Sequence, residues 1–377
     1  MTRPAEDHAE RLHDQLVDGL RRGGAIHDPR VEKAFRAVRR HWFLPEAALE
    51  DVYRDLALVT HRDEHGVAVS SSSQPALMAR MLEQLSVQPG MAVLEIGTGT
   101  GYNAALLGQL VGLGGTVLTV DLDPAVTGPA KRHLAAAGAS NVEVVTADGW
   151  QMETEARFDR IEVTVGAWDL SPAWVDALEP GDVLVVPIWL RAGQQASVAF
   201  RKAGDRLESV SVVPCGFMRM RGPGAGAPTY CRLGEWTVTL DDAGPERVAV
   251  LGALLGGDSS VRRIPPLERG WFTSIALADA GAVNLFAPGP SGSVVRSGIL
   301  QVSPPGLAVV ETGPPAADVI RSFGDEGPLR RLLDLLDRTP AIDPAALAIS
   351  AVAAGMDVDD EGALATLVRP NFTLVIR

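Results

Sequence analysis

VLEIGTGTGYNAALL, residues 93–107, runs from a short apolar strand through three alternating glycines into a helix. Gly97, Gly99 and Gly101 let the backbone turn tightly and approach a ligand, and the opening helix offers unpaired N–H groups. A dinucleotide fingerprint of the form G-x-G-x-x-G would need glycine at 102, where Tyr102 stands. Glu95 lies at the strand end, two residues before the first glycine, where an anion repels a pyrophosphate and suits a cation. S-adenosylmethionine, with a sulfonium and an ammonium, fits such a turn better than a dinucleotide.

Two more strand ends follow in order. VLTVDLD at 117–123 ends in acid, with Asp121 standing 24 residues past Gly97, where a carboxylate can accept from both ribose hydroxyls. Asp123 directly precedes Pro124 and reads as a helix N-cap with proline at N1. VEVVT at 142–146 leads to Asp148-Gly149, from which a carboxylate can accept from an adenine amino group. Apolar positions at helical spacing over 6–23, 29–38 and 75–85 predict a helical cap, and strand–helix alternation over 91–188 predicts a parallel, doubly wound sheet. The expected fold is therefore α/β, a Rossmann-like class I methyltransferase sheet with an N-terminal helical cap, closed by a hairpin at 197–213. RGPGAGAP at 221–228 reads as a connector to a C-terminal α+β domain at 229–377. In that domain WTVTL, FTSIAL, AVNLFA, VVRSGILQV and LAVVE read as strands, with a helix near 326–338 and a last strand at 372–376. The methyltransferase domain spans 1–220, with cap and substrate loop over 1–90 and sheet core over 91–220.

Composition narrows the partners. The 377 residues are 46% hydrophobic, enough for a substantial core. No apolar run approaches a bilayer span, MTRPAEDHAERLHD lacks the apolar core of a signal peptide, and the cytoplasm is the expected location. A net charge of −13 argues against a nucleic-acid substrate, and the basic patches RAVRRH at 36–41 and RMR at 219–221 read as solvated faces. Cys215 and Cys231 read as reduced thiols. His61 and His65, in a loop-like stretch without a third ligand nearby, read as exposed, and no metal is expected.

The methyl acceptor must be argued from the loop before the core. SSSSQP at 70–75 precedes a helix with Pro75 at N1, so Ser73 or Gln74 can cap it. Four serines exceed what capping needs. A carboxylate acceptor suits such a loop, because it is already ionised and needs only orientation and hydroxyl donors. After IEVTV at 161–165, GAWD places Trp168 and Asp169 at the expected mouth of the site, with Asp169 alternatively capping a helix near Pro172.

FLP at 43–45, Tyr53 with Asp55, SQP at 73–75, LEIGTGTGY at 94–102, DG at 148–149 and LEPGDVLVVPI at 178–188 together resemble the protein-L-isoaspartate O-methyltransferases, over roughly residues 30–215. The resemblance implies an active-site serine at Ser73. It implies cofactor contacts from the glycine loop (Glu95, Gly97, Thr98, Gly99, Thr100, Gly101, Tyr102, Asn103), from Asp121 and Asp148, and from the adjoining Leu122, Gly149 and Val165. Ser70, Ser71, Ser72, Gln74, Trp168 and Asp169 are then expected on the substrate side. S-adenosyl-L-methionine would be the methyl donor and S-adenosyl-L-homocysteine the product. GAWD, the lengthened loop LVTHRDEHGVAVSSSSQP, CGFM at 215–218 and the appended C-terminal residues look more like a subgroup that tailors ribosomally made peptides, of the FxLD lanthipeptide and graspetide types. That resemblance implies methylation of an aspartate in a cyclised peptide, leading to aspartimide and isoaspartate. General isoaspartate repair is the alternative, and a non-catalytic peptide-binding protein a third reading.

Overall fold

The computed structural model describes residues 3–152, 155–226, 229–289, 292–312 and 318–377. Among these, the larger sheet has ten strands. Its parallel part runs, in spatial order, Val183–Trp189, Arg160–Val163, Ala92–Ile96, Thr116–Asp121 and Val142–Thr146. The strand order reverses between Ala92–Ile96 and Arg160–Val163, and such a switch point leaves a crevice beyond the carboxyl ends of the strands. Gln195–Ala203 and Arg206–Cys215 continue the sheet antiparallel, as the closing hairpin predicts. Helices Arg3–Arg22, Pro29–Ala37 and Pro75–Leu85 form the cap. Asp28 caps the second of these by accepting from the Arg30 N–H at 2.7 Å, with Pro29 at N1. Phe35 and Phe43 from the cap pack against the ring of Tyr102, at centroid separations of 6.3 and 5.6 Å, and so anchor the helix that follows the glycines.

The C-terminal residues depart from the expected division at 229. Seven described strands form an antiparallel sheet in the order Tyr230–Leu233, Trp236–Leu240, Ala282–Gly289, Gly292–Gln301, Gly306–Glu311, Asp318–Gly324 and Ser260–Ile264. FTSIAL belongs to a helix, Trp271–Ala278, rather than a strand: its apolar residues pack on the sheet, and Ile275, Ala276 and Leu277 are all buried. The chain then returns. Ile349–Ala353, Phe372–Ile376 and Ala365–Val368 extend the methyltransferase sheet beyond Arg206–Cys215. Residues 349–376 are thus part of the first sheet, and 229–377 is not one separate domain. The expected connector also differs: Gly224 and Gly226 lie so close to Trp150 and Trp168 that an added Cβ would come within 2.4 and 2.2 Å of the two rings, while residues 227–228 lie outside the described residues.

The stretch expected as a loop before the serines is a hairpin. Leu58–Arg62 pairs antiparallel with Ala68–Ser72, setting Leu58 opposite Ser72 and Val59 opposite Ser71. Pairing with period two turns Ser70 and Ser72 inward, where both are buried, and leaves Ser71 and Ser73 partly exposed. His61, expected in a loop, is a half-buried strand residue opposite Ser70, while His65 is exposed at the turn of the hairpin.

Candidate active site

A cleft opens beyond the strand ends at the switch point. Its walls include Gly97, Thr98, Gly99, Thr100, Tyr102 and Asn103 from the glycine turn, Asp121 and Leu122 from the next strand end, and Asp148 and Gly149 from the third. Val165 and Ser70 to Ser73 complete the part expected from sequence. Gly97 has φ +106°, and a Cβ there would lie 2.4 Å from Thr164 Oγ1, whose hydroxyl donates to the Gly97 carbonyl at 2.7 Å. Gly99 has φ +52° and comes near the carbonyl of Ser71, so the turn and the serine strand approach backbone to backbone. Gly101 lies outside the cleft wall: it is the N-cap of the helix Tyr102–Val111 and packs on Leu134.

The carboxylates divide by burial. Asp121 accepts from the N–H groups of Gly99 and Asp123, each at 3.3 Å, and burial raises its pKa. Asp148 accepts from the Trp150 N–H at 2.9 Å. Glu95 corrects the sequence reading. It is 0% exposed, does not line the cleft, and accepts from Thr119 Oγ1 and from Asn103 Nδ2 at 2.8 Å, so it braces the turn from beneath. Glu162, opposite Glu95 in the parallel pairing, accepts from the same Asn103 Nδ2 at 2.8 Å and does line the cleft. Burial pushes Glu95 up to about 8 and Glu162 up to about 7.

A wall that sequence reading missed crosses the front of the cleft. Phe217, Met218, Arg219, Met220 and Arg221 line it, although RMR reads as a solvated patch. Long-range hydrogen bonds fix this segment: Gln195 clasps the Phe217 backbone at 2.8 and 3.0 Å, and Gly166 exchanges bonds of 2.7 and 2.9 Å with Met218 and Met220. The Arg221 guanidinium lies 3.9 Å from Asp121 and 3.6 Å from Asp123. A second cavity adjoins the first, lined by Tyr53, Asp55, Leu56, Gln74, Arg80 and Cys215 among others. Ser71, Ser73, Phe217 and Met218 line both cavities. Gln74 therefore sits on the second cavity, where its amide donates to Asp55 at 3.0 Å. Neither Ser73 nor Gln74 caps the helix Pro75–Leu85. Asp55 does so from a distant loop, accepting from the Ala76 N–H at 2.8 Å.

Trp168 and Asp169 are also corrected, since they face the returning C-terminal strands and line neither cavity. Asp169 accepts from Asn371 N and Nδ2 at 2.8 and 2.9 Å, and the Arg369 guanidinium lies 4.5 Å from the centroid of Trp168. The helix Pro172–Asp176 is capped by Ser171, which accepts from Ala173 at 3.2 Å.

The donor set suits a cationic, hydroxyl-bearing nucleoside: acceptor carboxylates at two strand ends, a third carboxylate in the wall, and glycines that admit close approach. Among the described residues no helix is long and apolar enough to cross a membrane. The model of the protein-L-isoaspartate(D-aspartate) O-methyltransferase family matches residues 10–221, more than half of the chain. A protein-L-isoaspartate O-methyltransferase of Hyperthermus butylicus is 35% identical over 217 residues, covering 55% of this chain and 88% of that protein. One from Bradyrhizobium is 36% identical over 210 residues, covering 55% and 92%. A solved protein-L-isoaspartate O-methyltransferase superposes with TM-score 0.54 and 26% identity over 90% of this chain and 96% of its own. The chain belongs to the protein-L-isoaspartate O-methyltransferase family, enzymes that transfer the methyl group of S-adenosylmethionine to a carboxylate.

Proposed function

We propose that the protein methyl-esterifies isoaspartyl carboxylates of peptides and proteins, in the first cleft for the donor and the adjoining cavity for the acceptor. Asp121 accepts from the ribose hydroxyls and Asp148 from the adenine amino group, with Leu122, Gly149 and Val165 bordering the nucleoside. Glu162, rather than Glu95, faces the cationic end of the cleft. S-adenosylmethionine, when bound, supplies an electrophilic methyl carbon. Ser73 orients one oxygen of the acceptor towards it, and the flanking walls exclude water. With the donor bound, the acceptor oxygen would displace the sulfonium as a neutral thioether, the bonding pair leaving with sulfur and no proton moving, so the site requires no general base.

What supports this reading above all is the sharing of Ser71, Ser73, Phe217 and Met218 between the two cavities, which gives a donor and an acceptor a common wall. Methyl transfer to a linear isoaspartyl peptide and to its aspartyl isomer, measured side by side, tests it. Transfer to the isoaspartyl form alone is expected, and no transfer to either would refute it.

A narrower reading, methylation of an aspartate in a cyclised, ribosomally made peptide, draws on the hairpin Leu58–Ser72, which builds up the acceptor side. The C-terminal part does not favour that reading, because the likeness to a solved isoaspartate methyltransferase spans 90% of this chain. A cyclised aspartyl peptide methylated faster than the linear isoaspartyl one would establish it.

A further inference from the structure

Arg40, in the turn Arg40–Phe43, is 0% exposed and makes no ion pair among the described residues. Its Nε is buried without a hydrogen-bond partner among the described residues, and its two Nη groups spend their donors on backbone carbonyls and one serine hydroxyl. Nη1 donates to the carbonyls of Val52 at 2.8 Å and Arg54 at 3.2 Å. Nη2 donates to those of Leu56 at 3.2 Å, Ser72 at 3.4 Å and Ser73 at 3.0 Å, and to Ser72 Oγ at 3.3 Å. Taking an arginine fully out of water is costly, and it persists only where a fork of donors satisfies something that a smaller group could not.

What it satisfies are the two walls of the acceptor cavity. The 52–56 loop carries Tyr53, Asp55 and Leu56 on one wall, and Asp55 reaches across to cap the helix at Ala76 and hold Gln74. The serine strand end carries Ser71 and Ser73 on the other, next to the donor cleft. The geometry points to Arg40 as a positioning residue for the transfer: one guanidinium, bonded to five carbonyls of two chain segments, fixes Ser73 relative to the acceptor cavity. This rests on the proposed acceptor site. It adds that the alignment of Ser73 is set by a residue that touches neither donor nor acceptor.

A displacement of about 1 Å in a reacting pair costs on the order of 10²-fold in rate. Lysine keeps the charge but cannot reach five carbonyls of two segments, so Arg40→Lys should lower kcat on an isoaspartyl peptide by that order. S-adenosylhomocysteine affinity, measured by calorimetry, should change less than about threefold, because the cleft wall beyond the serines is untouched. In a double-mutant cycle, Arg40→Lys should add little to Ser73→Ala, since both act through one hydroxyl. Amide hydrogen exchange at residues 70–73 should quicken in the lysine variant. Wild-type kcat with unchanged exchange would overturn the inference, as would fully additive losses or a parallel loss of cofactor affinity, which would make Arg40 a prop for the fold. If the wild-type protein methylates no isoaspartyl peptide, the acceptor assignment fails while exchange at 70–73 still decides whether Arg40 clamps the serine strand.

Discussion

Replacing Gly97 and Gly99 separately by alanine should have unequal consequences, and the inequality can be worked from the turn itself. At Gly97, φ is +106° and a Cβ would lie 2.4 Å from Thr164 Oγ1 and 3.3 Å from Val165 Cγ1. Thr164 cannot simply rotate away, because its hydroxyl donates to the carbonyls of Gly97 at 2.7 Å and Ile96 at 3.1 Å. The alanine variant thus carries a backbone penalty of about 1–3 kcal/mol and gives up a hydrogen bond worth about 1 kcal/mol. At Gly99, φ is +52°, inside the left-handed region, and the nearest atom to a Cβ is the Ser71 carbonyl oxygen at 3.4 Å. The cost there is about 1 kcal/mol. If the turn holds the cofactor, the difference of about 2 kcal/mol should weaken S-adenosylhomocysteine binding some 30-fold more in Gly97→Ala than in Gly99→Ala. Calorimetric titration of both variants, with thermal melting to confirm folding, measures this. Equal affinities, or a melting point that falls in Gly97→Ala with binding intact, would refute the link between the glycine turn and the ligand.

Asp121→Asn removes a charged acceptor from the second strand end and should weaken S-adenosylhomocysteine binding by about 10–100-fold, at about 1.5–3 kcal/mol per charged hydrogen bond; unchanged affinity would move the ribose elsewhere. Glu162 has its pKa raised from 4.5 to about 7 by burial, so the folded protein holds a proton that the unfolded chain has released between those values. Its contribution is fully present below pH 4.5 and is lost as pH rises through 7; Glu162→Gln should therefore melt higher than wild type at pH 8.5, by about 1–3 °C, and the gap should close towards pH 5. Melting curves displaced equally at both pH values would contradict this. Asp169→Ala should lower the melting temperature by severing two bonds to Asn371 while leaving KM for the peptide within about twofold; a raised KM at unchanged stability would restore Asp169 to the substrate side.

The donor cleft is legible in sequence because strand ends are local objects. A carboxylate one or two residues past an apolar run lands at the carboxyl edge of a parallel sheet whatever the rest of the chain does, and Asp121 and Asp148 illustrate it. Glu95 was misleading for a reason just as local: the strand Ala92–Ile96 ends one residue after it, so its side chain is still between strands and hydrogen-bonds Thr119 and Asn103 there. Glu162 has the same apolar neighbours in IEV, and only the pairing of the two strands reveals that both glutamates share Asn103. The acceptor side was less readable. Nothing in RAVRRH says which of Arg36, Arg39 and Arg40 turns inward, because the helix ends at Ala37 and the 3-10 turn that follows resets the face. Asp55 as the cap of a helix twenty residues onward, and Gln195 as the clasp of Phe217, are tertiary choices with no local signature.

The returning C-terminal strands bear on the same wall. Ile349–Ala353 pairs with residues 206–208, the start of the strand Arg206–Cys215, and the chain leaving the far end of that strand becomes Phe217–Arg221 at the front of the cleft. Gly166, which bonds Met218 and Met220, lies three residues before Asp169, and Asp169 is bonded to Asn371. The loop after Val183–Trp189 is tied to the C-terminal residues as well: the Ala192 N–H donates to Asp241, just past the strand Trp236–Leu240, at 2.8 Å, and Arg191 donates to the carbonyl of Leu277, in the helix Trp271–Ala278, at 2.8 Å. Cutting the chain after residue 228 would therefore do more than delete an appendage. It would expose the backbone of residues 206–208, which Ile349–Ala353 pairs, and remove the Asp169–Asn371 contact that lies three residues from Gly166, at one end of the wall that the donor and acceptor cavities share. Substitutions at the contacts that join the C-terminal part to this wall, rather than truncation, are what separate a substrate-gripping role for that part from the bracing role its hydrogen bonds describe.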